Sequence, residues 1–435
     1  MTKSFDASNS HMRAVHQLIP GGAHTYAKGD DQYPQDMAPV IERGSGCRVW
    51  DLDGNEYVEF NNGLRSTTLG HGFEPVVRAA RNWLDDGVNF ARPHRLELEA
   101  AERLVDLVPS AEMVKFGLNG SDATTAAIRL ARAYTNRDMV AVCRQQPFFA
   151  THDWFIVTTP MSAGIPADGL TVQFDYNDLS SLTELFDAHP GRIAAVVLEA
   201  ETTEPPAAGF FDDLRQLCDR NGALLVLDEI ITGFRWHERG AQFLYQIEPD
   251  LCTFGKGMAN GFPLSALAGR REIMRRGGFV DDADRVFLLS QTYAAQPWAL
   301  AAMLAVIDTY EHERIAERLQ SIGAGLRRGV EAVVADAGLS AYFQLRGRDC
   351  NLVYAAKDQQ GQPSQAFRTL VLQEFLARGI LAPSFVVCAA HDLAAVQQTI
   401  DAVAELMPIY QRALEDGVET VLRGRPVRPT IRRRG

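Results

Sequence analysis

The chain has 435 residues, of which 46% are hydrophobic and 23% charged, and its formal net charge is −12. A chain of this length is too long for one small core and predicts a large domain with a second unit. The acidic balance argues against nucleic acid as the main partner, and six scattered cysteines without a Cys-x-x-Cys motif argue against a metal site or a disulfide framework. No run reaches the roughly 18 apolar residues of a membrane span, and no apolar signal core opens the chain. We therefore expect a soluble, cytoplasmic protein.

The first 45 residues or so are rich in polar side chains, glycine and proline, and we expect them to run over the surface or over another subunit. His24 and Thr25 follow the turn Pro20-Gly21-Gly22 and belong either to an ordinary loop or to a wall of a substrate site. Alternating strands around Asp53-Gly54 predict a β-hairpin. Arg65, in the loop that follows, is either solvated or holds a substrate anion with its planar guanidinium.

A glycine turn connects a short strand, Met113 to Phe116, with a helix from Ala123 to Tyr134. The turn contains Asn119, Gly120 and Ser121. Free backbone N–H groups and the positive end of the helix dipole suit a phosphate, and Ser121 can add a hydroxyl donor. The same residues also suit a plain helix cap, and the turn lacks the patterns of nucleotide and dinucleotide loops. By itself this turn is weak support for a phosphate site.

Two reactive side chains follow at the ends of later strands. The apolar strand Leu224 to Leu227 ends in Asp228, and Lys256 follows 28 residues later between two glycines. Ligands of open α/β sheets bind beyond the carboxyl ends of such strands, where a buried carboxylate needs a cationic partner. Pyridoxal phosphate requires both groups, because a lysine amine forms its Schiff base and an acid faces its pyridine nitrogen. Taken singly, the aspartate suits a cap and the lysine suits solvent, so the pair depends on the phosphate turn upstream.

Strands alternate with helices through the middle of the chain, which predicts one large doubly wound α/β domain. One of these strands, Ile193 to Leu198, ends in Glu199. Phe148 belongs to a cluster of three aromatic residues that forms either core or a flat face for a pyridine ring. From Ile315 onward the simple alternation stops, which predicts a separate α+β unit, with its last helix kinked or broken at Pro408.

The most specific motif is Asp228-Glu229-Ile230-Ile231-Thr232-Gly233-Phe234-Arg235 followed by Gly255-Lys256, and it is accompanied by Pro20-Gly21-Gly22, Trp50-Asp51-Leu52-Asp53-Gly54, Asn119-Gly120-Ser121-Asp122-Ala123 and Ala382-Pro383-Ser384. Together these motifs resemble the class III (subgroup II) pyridoxal phosphate aminotransferases, in their glutamate-1-semialdehyde aminomutase-like branch. The resemblance runs nearly end to end.

The resemblance implies an α/β protein of PLP fold type I that forms a homodimer with shared active sites. A large, doubly wound, mostly parallel sheet domain of the seven-stranded type would span residues 61–312. A smaller α+β domain would span 313–435, and the N-terminal segment 1–60 would pack with the small domain and with the dimer partner.

The resemblance also assigns roles to residues. Lys256 would form the Schiff base and later move a proton between the substrate carbon and the cofactor, while Asp228 would keep the pyridine nitrogen protonated. Phe148 and Ile230 would lie on opposite faces of the ring. The residues of the phosphate site would be Asn119, Gly120 and Ser121, with Thr292 reaching the phosphate from the other subunit. Candidate contacts to substrate are His24, Thr25, Arg65 and Glu199.

Some positions depart from the family pattern. Phe148 lacks the hydroxyl or the histidine neighbour usual in its motif, and the loop after Pro383-Ser384 is short and has no acid. Arg65 lies in a segment that is usually small and contains tryptophan. A pocket without the gating acid, and with Arg65 and His24, implies a changed substrate.

These patterns predict an aminotransferase that moves an amino group between an amino-acid donor and a keto or aldehyde acceptor, in specialised or sugar-related metabolism, through pyridoxamine phosphate. One alternative is an intramolecular aminomutase of the glutamate-1-semialdehyde type. Another is a non-catalytic binding protein that kept the fold.

Overall fold

The computed structural model describes residues 3–146, 151–152, 169–278 and 285–428. These residues form two compact units. The N/C unit comprises the chain up to Leu64, Thr68–Phe73 and the chain from Glu317 onward, and the central unit comprises Arg65–Thr67 and Glu74–Ala316. The domain boundaries at 60/61 and 312/313 stay predictions.

The strands, in chain order, are β1 Ile41–Ser45, β2 Arg48–Asp51, β3 Glu56–Glu59, β4 Met113–Gly117, β5 Met139–Cys143, β6 Thr171–Phe174, β7 Ile193–Glu199, β8 Leu224–Asp228, β9 Leu251–Phe254, β10 Ser265–Gly269, β11 Phe343–Arg346, β12 Asn351–Ala356, β13 Ile380–Leu381 and β14 Phe385–Val386. The α-helices are α1 Asp6–Leu18, α2 Glu74–Leu84, α3 Arg95–Leu107, α4 Gly120–Thr135, α5 Leu179–Ala188, α6 Phe210–Asn221, α7 Ala241–Tyr245, α8 Arg271–Met274, α9 Pro297–Glu313, α10 Ile315–Asp336, α11 Gln365–Ala377 and α12 Leu393–Asp416. Within the described ranges no helix has both the length and the apolar character needed to cross a bilayer.

The central unit is built on a seven-stranded sheet in the order β4-β10-β9-β8-β7-β5-β6. Strands β6, β5, β7, β8 and β9 run parallel, and β10 is antiparallel to β9 and β4. Every residue of β5 and β8 is buried, as expected for a parallel sheet that is covered on both faces. The predicted α/β class, with a large, mostly parallel sheet, is confirmed.

Helix α4 covers one face of this sheet with small side chains. Ala123, Ala126 and Ala127 are fully buried and belong to the same core as Val140 and Val226. Small residues let the helix approach the strands closely, so its first turn lies near the carboxyl ends of β7 and β8.

The N/C unit contains a four-stranded sheet, β1-β2-β3-β13, and a three-stranded sheet, β11-β12-β14. Strands β2 and β3 form the predicted hairpin, and β3 pairs in parallel with β13 from the C-terminal part of the chain. A buried cluster joins residues of both parts of this unit: Phe5, Met37, Val49, Tyr57, Leu376 and Leu381.

The structure contains one helix that was not predicted and excludes a break in another. The N-terminal stretch contains helix α1, because the Asp53 carboxylate accepts hydrogen bonds from the N–H groups of Ala7 and Ser8 at 2.8 and 2.9 Å. This cap comes from a distant residue and leaves no local signature. Helix α12 continues through Pro408 to Asp416, so the predicted break is wrong, while the alternative of a kink stays a prediction. Its buried face, which includes Leu406 and Tyr410, supports it on both sides of the proline.

Candidate active site

Seven of the predicted site residues line one cavity of the central unit, with a volume of about 460 Å³. They are Asn119, Gly120, Ser121, Glu199, Asp228, Ile230 and Lys256. The cavity lies where β7 and β8 end and α4 begins, because Glu199 and Asp228 are the last residues of their strands and partners in the strand register. We call it the central cavity.

Asp228 is 6% exposed, and its carboxylate has two ends with different environments. The N–H of Ile230 and the hydroxyl of Thr253 both donate to Oδ1, at 2.9 and 3.1 Å. Both hydrogen bonds that the described residues donate to the Asp228 carboxylate therefore end on the same oxygen. Asp228 also lines the cavity. Burial raises the pKa of this carboxyl, although the Ile230 N–H, the Lys256 charge and the Thr253 hydroxyl oppose the rise. A buried acid of this kind suits a cationic ligand group.

Lys256 opens a short 3-10 turn, Lys256–Ala259, directly after β9 and the extended Gly255. Its φ angle is +44°, in the left-handed region that non-glycine residues rarely adopt. Backbone strain of this kind, of order 1–3 kcal/mol, is typical of functional sites. Burial lowers the pKa of the Lys256 amine, although the charges of Glu199 and Asp228 oppose this effect. The charges of Arg65 and Arg235 lower the pKa further. A lowered pKa favours the neutral amine, which is the nucleophilic form.

Glu199 is the second acid that lines the central cavity. Burial, reinforced by the Asp228 charge, raises its pKa to about 8, and the charges of Lys256 and Arg65 only partly oppose this rise. Gln146 fixes the backbone of Glu199, since its amide donates to the Glu199 carbonyl at 3.0 Å and accepts from the Glu199 N–H at 2.8 Å. The acid is thus held at the wall of the cavity by its main chain.

Arg65 is not among the described residues that line the central cavity, but its charge acts on the pKa values of Glu199 and Lys256. Burial and the Arg235 charge lower the pKa of its guanidinium, and Glu199 raises it. The backbone that presents it is unusual, since Asn62, Gly63, Leu64 and Arg65 all have positive φ angles, of 47, 58, 59 and 72°. Each non-glycine residue in that conformation costs roughly 1–2 kcal/mol.

The start of α4 forms the opposite wall of the cavity. Asn119 caps the helix by accepting from the Asp122 N–H at 3.3 Å, and Asp122 Oδ2 accepts from the N–H groups of Leu118 and Asn119, both at 2.9 Å. These bonds leave the N–H groups of Gly120 and Ser121 available at the positive end of the helix. The Ser121 hydroxyl accepts from the Thr151 N–H at 3.2 Å. The donors suit a phosphate group.

Ile230 packs tightly against the backbone on both sides of the cavity. A methyl group added at Gly120 would lie 3.3 Å from its Cδ1 atom, and one added at Gly255 would lie 3.1 Å from it. Both glycines therefore leave just enough room for this side chain, which fixes an apolar surface beside Asp228.

The structure does not bring the other predicted residues to this cavity. His24 and Thr25 line a separate cavity of about 790 Å³ in the N/C unit. Thr292 is exposed and is absent from the described lining of the central cavity of its own chain. Phe148 lies outside the described residues.

Thr253 is a site residue that sequence reasoning missed. It pairs with Asp228 in the parallel register of β8 and β9 and donates to its carboxylate. The sequence gives one indication of this position, a threonine three residues before Lys256, but its pairing with Asp228 depends on the sheet register.

The sequence matches a known family over most of its length. The family described as Aminotransferase class-III matches residues 30–387. A glutamate-1-semialdehyde 2,1-aminomutase from Pelotomaculum thermopropionicum is 32% identical over 428 residues, which cover 93% of this chain and 97% of that protein. One from Desulforamulus reducens is 33% identical over 358 residues, which cover 79% of this chain and 82% of that protein. The chain belongs to the class III aminotransferase family.

Two solved structures have the same fold as this chain. The FumI protein of Sphingopyxis sp. MTA144, solved as its pyridoxal phosphate internal aldimine form, has a TM-score of 0.85 and 27% identity and covers 97% of this chain and 99% of its own. An omega-transaminase from Sphaerobacter thermophilus has a TM-score of 0.82 and 26% identity and covers 93% of this chain and 98% of its own. The fold is PLP fold type I, as predicted.

Pyridoxal 5′-phosphate is the cofactor of this family, and the residues present fit it. The helix start offers N–H donors for a phosphate, Asp228 has an oxygen without a donor among the described residues, and Lys256 lines the same cavity. The protein is a pyridoxal phosphate enzyme of the aminotransferase family.

Proposed function

We propose that this protein is an aminotransferase that transfers an amino group between an amino-acid donor and a keto or aldehyde acceptor. The observation that carries the proposal is the grouping of Lys256, Asp228 and the start of α4 around one cavity. Arg65, whose charge affects the pKa values of Lys256 and Glu199, is our candidate for holding a substrate carboxylate.

Each residue has a distinct task in this proposal. Bound pyridoxal phosphate supplies a carbonyl carbon that takes up the amino group and a ring that accepts the electron pair released at the substrate carbon. Asp228 holds a proton at the ring nitrogen, because a neighbouring carboxylate favours the charged pyridinium. Lys256 would hold the cofactor through its amine, and the same amine would move the proton of the substrate carbon.

The remaining predicted residues position the ligands. Asn119, Gly120 and Ser121 bind the phosphate, and Ile230 and Phe148 hold the two faces of the ring. Arg65 orients the substrate carboxylate, and Glu199, which holds its proton at neutral pH, contacts the substrate. His24 and Thr25 remain our candidate contacts to substrate.

The functional unit is a homodimer in the cytoplasm, in which Thr292 of one subunit contacts the phosphate bound by the other. Two observations support the dimer. Thr292 is exposed on its own chain, and the central unit exposes large apolar side chains at Leu84, Val88, Phe90, Leu98, Phe287 and Tyr293. Such side chains are available for an interaction surface if they form one contiguous patch in the assembly.

An intramolecular aminomutase is the second candidate. The sequence relatives from Pelotomaculum thermopropionicum and Desulforamulus reducens are both named glutamate-1-semialdehyde 2,1-aminomutase. A mutase returns the amino group to the same molecule and needs no separate acceptor. A transferase without an acceptor stops after a single turnover, in its pyridoxamine phosphate form.

A donor screen with an acceptor-free arm separates these functions. Amino acids are added singly to the yellow holoenzyme, and the loss of the long-wavelength cofactor band is followed before and after addition of keto acids or aldehydes. We expect donors to bleach the band once and an acceptor to restore it. Lys256→Ala should abolish turnover and the borohydride-fixed link between cofactor and protein, whereas Lys115→Ala, an exposed lysine of β4, should retain both. Continuous isomerisation of glutamate 1-semialdehyde without an acceptor would favour the mutase.

A protein that stays colourless after incubation with pyridoxal phosphate would overturn both candidate reactions. That outcome would leave only the non-catalytic alternative.

A further inference from the structure

Thr253 is a fully buried residue of β9 that faces Asp228 in the strand register. Its hydroxyl donates to Asp228 Oδ1 at 3.1 Å, and its backbone carbonyl accepts from the Glu229 N–H at 2.8 Å. Lys256 follows three residues later. Thr253 therefore fixes the end of β8 to the strand that leads into the reactive lysine.

Two donors on one oxygen set the orientation of the Asp228 carboxylate. The terminal torsion of an aspartate is broad and two-fold, so an unrestrained carboxylate can present either oxygen to a ligand. Here the Ile230 N–H and the Thr253 hydroxyl both occupy Oδ1. The second oxygen, Oδ2, keeps its lone pairs for a group in the cavity.

We infer that Thr253 is a positioning residue for the cofactor, whose hydroxyl holds Asp228 so that Oδ2 meets the protonated ring nitrogen. This inference deepens the proposed function and rests on it, because it requires Asp228 to face that nitrogen. Thr253 itself touches neither the cofactor nor the substrate in this role, since its hydroxyl is taken up by Asp228.

The test removes the hydroxyl without changing the shape of the side chain. Thr253→Val keeps the β-branch and the volume but deletes the donor, and Thr253→Ser restores a donor. We measure the dissociation constant of pyridoxal phosphate for the cofactor-free protein by equilibrium dialysis, together with the pH midpoint at which the absorption band of the bound cofactor converts. Thr253→Val should weaken binding about tenfold, which corresponds to about 1.4 kcal/mol, and shift the midpoint. Thr253→Ser should remain within about twofold of the wild type, because it supplies the same donor.

A matched control comes from the adjacent loop. Thr232 is also fully buried, and its hydroxyl donates to the Glu229 carboxylate, but Thr232 is absent from the described lining of the central cavity. Thr232→Val should lower the thermal midpoint of unfolding and leave the pyridoxal phosphate affinity within about twofold, because its carboxylate partner does not face the cofactor.

A double-mutant cycle with Asp228→Ala shows whether Thr253 acts through Asp228. In the Asp228→Ala background, Thr253→Val should have no further effect on pyridoxal phosphate affinity. An equal loss in both backgrounds, or wild-type affinity and midpoint in Thr253→Val, would overturn the inference. If Asp228→Ala alone leaves the affinity unchanged, the proposed role of Asp228 fails as well, so the two failures are distinguishable.

Discussion

Glu199 and Asp228 end adjacent parallel strands as register partners, and one of the two acids is expected to hold its proton at neutral pH. Burial and the Asp228 charge raise the pKa of Glu199 to about 8. Because the pKa is raised on folding, the folded protein binds a proton that the unfolded chain has released. Stability is therefore present at low pH and is lost as the pH rises from the ordinary range of a glutamate towards 8.

This assignment predicts the pH dependence of one variant without cofactor. Glu199→Gln has a neutral side chain at every pH. The free energy of unfolding of this variant, relative to that of the wild type, should therefore increase as the pH rises from 5 to 8.5. We expect the difference to increase by about 1–2 kcal/mol. This is less than the full shift would give at about 1.4 kcal/mol per pKa unit, because solvent screens the partly exposed side chain. Urea titrations at several pH values measure it. Glu204→Gln, an exposed acid beyond the same strand, is the control, and a parallel response of both variants would contradict the assignment.

At the scale of elements, the loop after β8 is held by the buried carboxylate of Glu229. This carboxylate accepts from the N–H groups of Ala241 and Gln242, at 2.9 and 2.8 Å, and so caps helix α7. Gly240 precedes the helix with a φ of +83°, and a Cβ atom there would lie 2.5 Å from Glu229 Oε1. The glycine is thus required by both its backbone conformation and its neighbour.

Gly240→Ala should therefore displace the Glu229 carboxylate. We expect a loss of about 3 kcal/mol in the free energy of unfolding, the sum of backbone strain and a clash with a buried charged group. Gly191→Ala is the control, since Gly191 has a φ of +68° and a Cβ atom there would meet nothing within 4 Å. It should cost only about 1 kcal/mol, the strain term alone. Equal losses in urea denaturation would show that the contact with Glu229 does not matter.

Elements whose signals are local were predicted well from the sequence. The apolar runs of β7 and β8 end at Glu199 and Asp228, and the glycine turn with Asn119 leads into α4, as expected, although the helix begins at Gly120 and not at the predicted Ala123. Features set by distant partners were not predictable in the same way. The cap of α1 comes from Asp53, and the hydrogen bond from Thr253 to Asp228 depends on strand register.

The turn that presents Arg65 is a third such case. Asn62 and Gly63 adopt positive φ readily, but Leu64 and Arg65 do so only because the surrounding structure imposes it. One anchor of this turn is the Asn62 N–H, which donates to Glu59 Oε2 at 2.7 Å. Sequence patterns report the preference of each residue and cannot report this constraint.

At the scale of the whole molecule, the phosphate donors described at the central cavity all lie at the start of α4. The predicted phosphate contact from Thr292 requires a second subunit, since this residue is exposed and does not line the described cavity of its own chain. The large apolar side chains exposed on the central unit are expected to be covered in the same assembly.

Shared sites can be tested by combining two inactive chains. Lys256→Ala removes the reactive amine, and Thr292→Asp places a negative charge against the cofactor phosphate, which should abolish binding by repulsion. A mixed dimer contains one Lys256→Ala chain and one Thr292→Asp chain. If the sites are shared, one site contains both substitutions. The other site contains Lys256 from the Thr292→Asp chain and Thr292 from the Lys256→Ala chain. If Thr292 acts across the interface, the purified mixed dimer should bind one equivalent of pyridoxal phosphate through lysine and show about half of wild-type activity, because one of its two sites is intact. Light scattering should give the mass of two chains, and a mixed dimer no more active than its parents would place Thr292 in its own subunit's site or outside any site.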